Sequence, residues 1–590
     1  MENFVREQKL LLELEKQAVL KKEEEELKKN GRLTEVEVIS VSIPKYGGVL
    51  VNFRKRNPNI KTCPTFKERE NIALELVNGS KPLKGIVVKQ NPKQYTIHLS
   101  KTPELFKTYK KWNFIKISDN RQFNDMEAAL NKISINQTPL RDVLMGIKAP
   151  SLQENTFLPK LQNSRLDYSQ MEAVIFALNQ MEVSVIHGPP GTGKTTTLVE
   201  IILQSVKRGE KVLLTTASNT ALDNIGEKLA QEGLHVARVG HPARISEAML
   251  PHSISALAMK VKEDLGKRKI QRSLENLMED YLKKADIVLS TLTSCRKDGP
   301  IGNLPNNYFD VTVIEECGQA MEMSCWTAIH KSPKLILAGD HLQLPPTVIS
   351  EKAKKKLSIS LMERLQDLLQ FNSLETQYRM NALIMNWSSS NFYNNTLQAD
   401  KSVRNHKLLN LPGVATDEIT RSVLRLIDTS GLDMPEISND STTLPSYANK
   451  EEAALIIEYV EGLLKKGLAP IQIAIITPYS YQVELLKLNI KYPGIQVSSV
   501  DAFQGREKEV VIISLVRSNK EQNLGFLIEE RRINVAITRA RKQIVLICNT
   551  STIKKDPFLR NLIQYISTNG DVESISNLDT SNLLLPMNGQ

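Results

Sequence analysis

The chain has 590 residues, 41% of them hydrophobic and 24% charged. Those fractions exclude wholesale disorder, and the length suggests roughly three to five domains at ~100–200 residues each. Lys plus Arg is 77 against 66 Asp plus Glu, a formal surplus of +11 that suits a phosphate-backbone binder without requiring one. No apolar run approaches the ~20 residues of a bilayer span, Val510 to Val516 being among the longest, and the opening Met1-Glu2-Asn3-Phe4 turns charged at once. The expectation is a soluble, intracellular protein with no membrane partner. Five scattered cysteines (Cys63, Cys295, Cys317, Cys325, Cys548) and eight dispersed histidines offer neither a disulfide framework nor a structural zinc module.

Residues 1–30 carry 7 basic and 8 acidic side chains, with Val5, Leu12, Val19 and Phe4, Leu11, Ala18 recurring every seven positions. This predicts a stalk helix over 1–31 with one apolar stripe, its Lys21–Lys29 charge run facing water. Short alternating runs follow: Val36 to Ile43, Val49 to Phe53, Ile86 to Val88 and Tyr95 to Leu99, separated by turn signals. They predict a small β barrel within a domain and linker at 32–150, decorated by Lys45, Arg54, Lys55, Arg56 and Lys61.

From about 160 the pattern changes. Apolar β-branched runs at Val183–Ile186, Val212–Leu214, Ile287–Leu289, Val311–Ile314 and Leu335–Leu337 alternate with helical stretches, and the pattern returns at Ile473–Ile476, Val510–Leu515 and Ile544–Ile547. Buried parallel sheets flanked by helices are expected, in two α/β domains over 151–366 and 367–590. Residues 251–284, with Lys260, Lys262, Lys267, Arg268, Lys269 and Arg272, read as an inserted basic helical pair. Residues 430–448 (Gly431, Pro435, Ser438, Asn439, Ser441, Pro445) read as a mobile loop.

Gly188-Pro189-Pro190-Gly191-Thr192-Gly193-Lys194-Thr195 lies between a predicted strand and a predicted helix, the context a phosphate-binding loop needs. Its backbone N–H groups close on a β-phosphate, Lys194 neutralises β/γ charge, and the Thr195 hydroxyl is a Mg²⁺ ligand. Glu315-Glu316 closes the strand Val311–Ile314. The first carboxylate is read as holding Mg²⁺ through water, the second as positioning or deprotonating the attacking water. Gln343, in Gly339-Asp340-His341-Leu342-Gln343-Leu344-Pro345-Pro346, senses a γ-phosphate without adding charge, whereas His341 reads as a turn residue. Gln377-Tyr378-Arg379-Met380 supplies an aromatic platform and a guanidinium, and Arg532, Arg539 and Arg541 are equal candidates for a further one.

Taken in order, Gln170, the phosphate loop, Ser218-Asn219, Gly339–Pro346, Gln377–Met380, Val500-Asp501-Ala502-Phe503-Gln504-Gly505-Arg506-Glu507 and Asn534–Ala540 resemble the superfamily 1 helicases, in the branch of the RNA-surveillance and immunoglobulin-μ-binding helicases. The resemblance implies an α/β fold class: two tandem RecA-like P-loop domains gripping ATP in their cleft, with a small N-terminal β-barrel and an inserted helical subdomain. It implies that Gln170 reads adenine, that Tyr378 stacks on it, and that Gln343, Arg379 and Arg539 contact the γ-phosphate. Glu507 touches the ribose or tunes the site, and Thr196 joins the nucleotide contacts. Single-stranded DNA or RNA passes Ser218, Asn219, Thr291, Thr293, Pro345, Thr477, Pro478 and Asp501. The implied activity is ATP-dependent 5′ to 3′ translocation or unwinding by a monomer, in cytoplasm or nucleus, with ribosomes or ribonucleoproteins as further partners.

This chain departs from the family pattern in three places. The family's Asp-Glu pair is Glu315-Glu316, and the extra methylene moves a carboxylate by ~1.5 Å, which motivates an alternative reading as a ribonucleoprotein scaffold with weak ATPase. The family's Ala-Pro-Ser-Asn is Thr216-Ala217-Ser218-Asn219, without the stiffening proline. Animal immunoglobulin-μ-binding helicases carry a C-terminal single-strand-binding domain and a zinc finger, whereas residues 549–590 hold no Cys or His, so targeting through those modules is not expected.

Overall fold

A computed structural model describes residues 1–590 except 31, 45–47, 56–65, 67, 78–81, 92, 100–104, 118–119, 268–272, 306, 433, 440–445 and 576–590. The chain divides into two compact units: Met1–His187, Thr195–His341 and Pro345–Asn372 form the first, and Gly188–Lys194, Leu342–Leu344 and Ser373–Gln590 the second. The unit boundary at Asn372 lies beyond the 366 expected from the sequence.

In the first unit, helix Glu2–Asn30 lays Val5, Leu11 and Leu12 against helices Arg121–Ile135 and Glu351–Leu357. The seven-residue recurrence thus marks a buried stripe. Glu23 corrects the reading of the charge run as purely water-facing: it is half-buried and lines a cavity. The six strands β1 (Arg32–Ser42), β2 (Val49–Arg54), β3 (Asn71–Leu76), β4 (Leu83–Gln90), β5 (Gln94–Leu99) and β6 (Lys111–Lys116) close into a barrel in the order β1-β2-β5-β4-β3-β6. Inward residues of every strand are apolar, and Phe53, Phe66, Tyr95 and Phe114 meet edge-to-face at its centre. Strict alternation of burial fails in four of the six strands: Ile72-Ala73-Leu74 in β3, Gly85-Ile86-Val87 in β4, Ile97-His98-Leu99 in β5 and Trp112-Asn113-Phe114 in β6 are each buried throughout. Of the surface cations expected here, Arg54 is exposed, but Lys55 is buried with its Nζ 4.5 Å from the centroid of the Tyr95 ring, so it packs within the barrel. Lys45, Arg56 and Lys61 lie outside the described residues.

The α/β portion of this unit is built on a seven-stranded sheet. Its strands are β7 (Val183–His187), β8 (Val212–Thr216), β9 (Val236–Arg238), β10 (Ile287–Thr291), β11 (Val311–Glu315), β12 (Lys334–Gly339) and β13 (Phe371–Ser373), in the order β13-β7-β12-β11-β8-β10-β9. The pairings among β7 to β12 are all parallel, and β7, β8, β10, β11 and β12 are buried along their whole lengths. That burial is why their sequences read as unbroken β-branched runs. Helices Ile254–Lys267 and Leu274–Lys284 pack on each other within 251–284, while Arg268, Lys269 and Arg272 lie outside the described residues.

In the second unit a short parallel pair, β14 (Thr376–Gln377) and β15 (Gln398–Ala399), precedes β16 (Leu424–Asp428). The antiparallel pair β17 (Ile437–Asn439) and β18 (Ser446–Ala448) occupies the region read as a mobile loop. Ordered backbone pairing there corrects that reading, which the turn-forming residues between the two short strands had suggested; Ser441 and Pro445 lie outside the described residues. Strands β19 (Ile473–Thr477), β20 (Gln496–Ser499), β21 (Lys508–Ser514), β22 (Ala540–Cys548) and β23 (Asp571–Ser574) complete a six-stranded parallel sheet in the order β20-β19-β21-β22-β16-β23.

Candidate nucleotide and nucleic-acid sites

In the first unit, helix Lys194–Lys207 follows β7 through the glycine-rich loop, and Thr195 lies in its first turn. The Thr195 Oγ1 donates to Glu315 Oε1 at 3.0 Å. Glu315 ends β11 and is 3% exposed, because β8 and β12 flank it at Thr216 and Ala338. A hydroxyl and a carboxylate oxygen side by side form a hard-oxygen donor pair that fits Mg²⁺, an ion that keeps most of its waters. Glu316 follows in the left-handed region (φ 56°, ψ 36°), where Gln319 Nε2 donates to its Oε2. A non-glycine residue pays of order 1–3 kcal/mol for that conformation, which swings the second carboxylate off the strand axis. Gln170, expected at adenine, is buried at the start of helix Tyr168–Asn179 and closes a capping box: its Oε1 accepts from Asp167 N at 3.1 Å while its own N donates to Asp167 Oδ1 at 3.0 Å.

His341 is 6% exposed, with its ring 5.0 Å from His187, whose Nε2 hydrogen-bonds Asp340 Oδ1 at 3.0 Å. Among the described residues these three are the one grouping whose ligand atoms fall within 4.8 Å of one another, and the imidazole–carboxylate hydrogen bond accounts for their approach.

In the second unit the loop Gly188–Lys194 packs against Gln377–Arg379. Gly191 O accepts from Tyr378 N at 2.8 Å, and Thr192 Oγ1 donates to Pro189 O at 2.8 Å. Gly191 has φ +79°, and a Cβ there would lie 2.8 Å from Arg379 Cβ, so this glycine is required by both backbone and space. The Arg379 Nε donates to Glu507 Oε2, and its Nη1 to Thr538 O at 3.1 Å; Arg541 Nη1 donates to Glu507 Oε1 at 3.1 Å. Burial pushes the Glu507 carboxyl up, but Arg379, then Arg541 and Arg539, outweigh it and hold it below the usual range. Glu507 therefore orients two guanidiniums.

Arg539 is 2% exposed, and its Nη2 donates to Gln343 Oε1 at 3.2 Å and to Thr538 Oγ1 at 3.0 Å. Asn534 Nδ2 donates to Leu342 O at 3.0 Å, fixing the backbone beside Gln343. Arg532 is engaged elsewhere, with Asp501 and Glu529. Three arginines equal in sequence are thus separated by their partners. No local signal in the segment Asn534–Ala540 marks the reach of Asn534 to Leu342 across 192 residues of chain.

The strand-contact candidates of the first unit cluster. Ser218 caps helix Asn219–Gln231, its Oγ accepting from Ala221 N at 3.1 Å. The Thr216 Oγ1 accepts from Ser218 N at 3.0 Å and donates to Ser218 O at 2.6 Å, tying the turn where the family has proline. Asn219, Thr291 and Thr293 line a cavity of about 670 Å³ whose other wall comes from the barrel, including Arg69 and Lys84. The barrel is held there by Arg69 Nη1 to Thr220 Oγ1 at 3.2 Å, by Arg244 Nη2 to Asn71 Oδ1 at 2.8 Å, and by the His98 and His241 rings at 4.8 Å. Pro345 belongs to the same unit. In the second unit, Pro478 is half-buried and Asp501 exposed, but Thr477 has no exposure at the end of β19, so its side chain does not face a strand. That difference follows from its place as the last buried residue of a central strand.

Matches to AAA domain family models cover residues 165–265 and 258–351 with one model and 357–551 with a second. The DNA-binding protein SMUBP-2 of Mesocricetus auratus is 38% identical over 97% of this chain and 64% of its own length, so the chain spans just under two thirds of that relative. The DNA polymerase alpha-associated DNA helicase A of Saccharomyces cerevisiae is 34% identical over 89% of this chain and 86% of its own. A regulator of nonsense transcripts 1 homolog of Drosophila melanogaster is 35% identical over 72% of this chain and 37% of its own. With the phosphate loop, the acidic strand end and the arginine–glutamine pair in the family's order, the chain belongs to the superfamily 1 helicases.

Proposed function

We propose that this chain is an ATP-hydrolysing translocase that moves 5′ to 3′ along single-stranded DNA or RNA and unwinds tailed duplexes, using two tandem RecA-like domains. The observation that carries the reading is the pairing of Arg539 with Gln343, a buried cation on an uncharged amide, beside a phosphate loop already packed on Arg379. Such a cation, aimed at developing phosphoryl charge, is worth orders of magnitude in turnover.

In this reading the amides of Gly188–Lys194 cradle the β-phosphate and Lys194 compensates the β/γ charge. Mg²⁺ neutralises phosphate charge when bound, and Thr195 and Glu315 hold it. Glu316 takes the proton of the attacking water at a carboxylate oxygen. Gln343 orients toward the γ-phosphate, Arg379 and Arg539 balance its charge, and Glu507 keeps Arg379 and Arg541 in place. Gln170, Tyr378 and Thr196 complete the nucleotide contacts. Ser218, Asn219, Thr291, Thr293, Pro345, Pro478 and Asp501 touch the strand through its backbone, which DNA and RNA share. A monomeric working state, ribonucleoprotein or ribosomal partners and a nuclear or cytoplasmic site of action belong to the same reading.

The test is ATP turnover with and without single strands, and unwinding of 5′- and 3′-tailed DNA and RNA duplexes. Turnover rises strongly with either strand, unwinding needs the 5′ tail, and Lys194→Ala abolishes both. Absence of stimulation by any single strand rejects the proposal.

A further inference from the structure

Strand β9 ends in Arg238, which has no exposure to solvent. A guanidinium removed from water must place its N–H groups on acceptors or destabilise the fold. Arg238 Nε donates to Asp223 Oδ1 at 2.8 Å, Nη1 to Val239 O at 2.6 Å, and Nη2 to Asn219 Oδ1 at 2.8 Å. Asp223 is 2% exposed, and its second oxygen accepts from Ser246 N at 2.7 Å. Gly240, at φ +154°, leaves room: a Cβ there would lie 3.1 Å from Arg238 Nη1. The ion pair alone would explain Nε; it does not explain why the far side of the fork reaches back to the first residue of the preceding helix, Asn219–Gln231.

That residue, Asn219, lines the cavity between the barrel and the seven-stranded sheet. An amide has an accepting end and a donating end, whereas a guanidinium only donates. The contact with Arg238 therefore settles which end of Asn219 is which. Oδ1 is committed inward, and Nδ2 is the end left to meet a ligand in the cavity.

We infer that Arg238 is a positioning residue that locks the Asn219 amide so that its Nδ2 donates to an acceptor oxygen of the nucleic-acid backbone. This rests on the strand-binding reading above and adds a direction to it: the contact is a neutral donor, aimed by a buried cation that never touches the strand. A phosphodiester oxygen is its natural acceptor, and both DNA and RNA supply one.

The test measures strand dissociation constants by fluorescence anisotropy with a labelled 15-nucleotide DNA and RNA, without ATP, and melting temperatures in parallel. Asn219→Ala is expected to weaken binding roughly tenfold, the scale of one hydrogen bond to a charged group. Arg238→Lys keeps a charge for Asp223 but loses the fork, and it weakens binding by a similar factor; the double variant is no weaker than either single one. Asn219→Asp keeps an acceptor for Arg238, so its melting temperature is not lowered, yet it turns an oxygen toward the strand and weakens binding well beyond Asn219→Ala. Additive losses in the double variant, or Asn219→Asp binding no worse than Asn219→Ala, overturn the inference. If Arg238→Lys fails to fold, the two Asn219 variants decide it alone. Tight binding without strand-stimulated ATP turnover rejects the translocase reading and leaves this one standing; a wild-type chain that binds no strand rejects both.

Discussion

Glu315 is the residue where this chain parts from its family at the chemistry itself. The longer side chain lies hydrogen-bonded to the Thr195 hydroxyl, so in the proposed reading the two oxygens would serve a water-sheathed ion together. Glu315→Asp is accordingly expected to change strand-stimulated ATP turnover by less than about threefold, since Mg²⁺ keeps waters that absorb a shift of that size. A gain of an order of magnitude or more would instead favour the scaffold reading, in which the native site is impaired. The phosphate loop, the acidic pair and Gln343 were legible from residue types and spacing. Residue types alone left Arg532, Arg539 and Arg541 equal and only the family resemblance singled out Arg539; the physical difference between them lies in their surroundings after folding, where Asp501 and Glu529 hold Arg532 and Gln343 meets Arg539.

At the scale of elements, the stalk helix and the barrel each make polar contacts with the rest of the first unit. Glu15 of the stalk helix is 2% exposed, and its carboxylate accepts from Ile349 N at 2.9 Å and Ser350 N at 2.8 Å, capping the segment that follows Pro345 and Pro346. Glu15→Ala strands those amides and should destabilise the chain by roughly 1–3 kcal/mol, read as a lower denaturation midpoint, with Glu15→Gln intermediate. Seven-residue spacing announced the helix but not this residue, since a lone buried Glu looks like any other charge in an acidic run. The barrel contact is pH-sensitive. Burial, then the neighbouring His98 and Arg244, lower the His241 pKa to about 4. A base depressed in the folded state contributes stability that is complete above its unfolded value of 6.5 and is lost as pH falls toward 4. Between pH 6.5 and pH 5 the chain should therefore lose on the order of 2 kcal/mol. In His241→Asn, which keeps an acceptor for Ala243 N but does not titrate, that part of the pH dependence of chemical denaturation should disappear.

For the whole molecule, the surplus of eleven positive charges is distributed unevenly. The cavity of the first unit holds Arg69, Lys84, Lys116, Arg121, Arg244 and Arg296 against Glu23 and Glu70. Asp298 already holds Arg296 at 2.8 Å, so five cations less two anions leave three, and at about −0.7 per phosphate on single strands the plot of log affinity against log salt should have a slope near −2. A slope near zero, measured by titration between 50 and 300 mM salt, would mean that these cations meet no phosphates. Composition carried the sign of this field but could not locate it, because charges far apart in sequence share one wall only after the barrel closes.

By itself the sequence determined the α/β class, the parallel strands, the glycine-rich loop and the acidic strand end, since each is written in residues that are neighbours along the chain. Hydrophobic periodicity and backbone geometry act over a few residues, and local text records them completely. The tertiary structure alone decided that β3 and β6 close the barrel, that Glu15 caps a loop more than 330 residues away, and that Arg238 faces Asn219. Those outcomes depend on which buried polar groups find one another once water is excluded, a pairing that no spacing rule encodes.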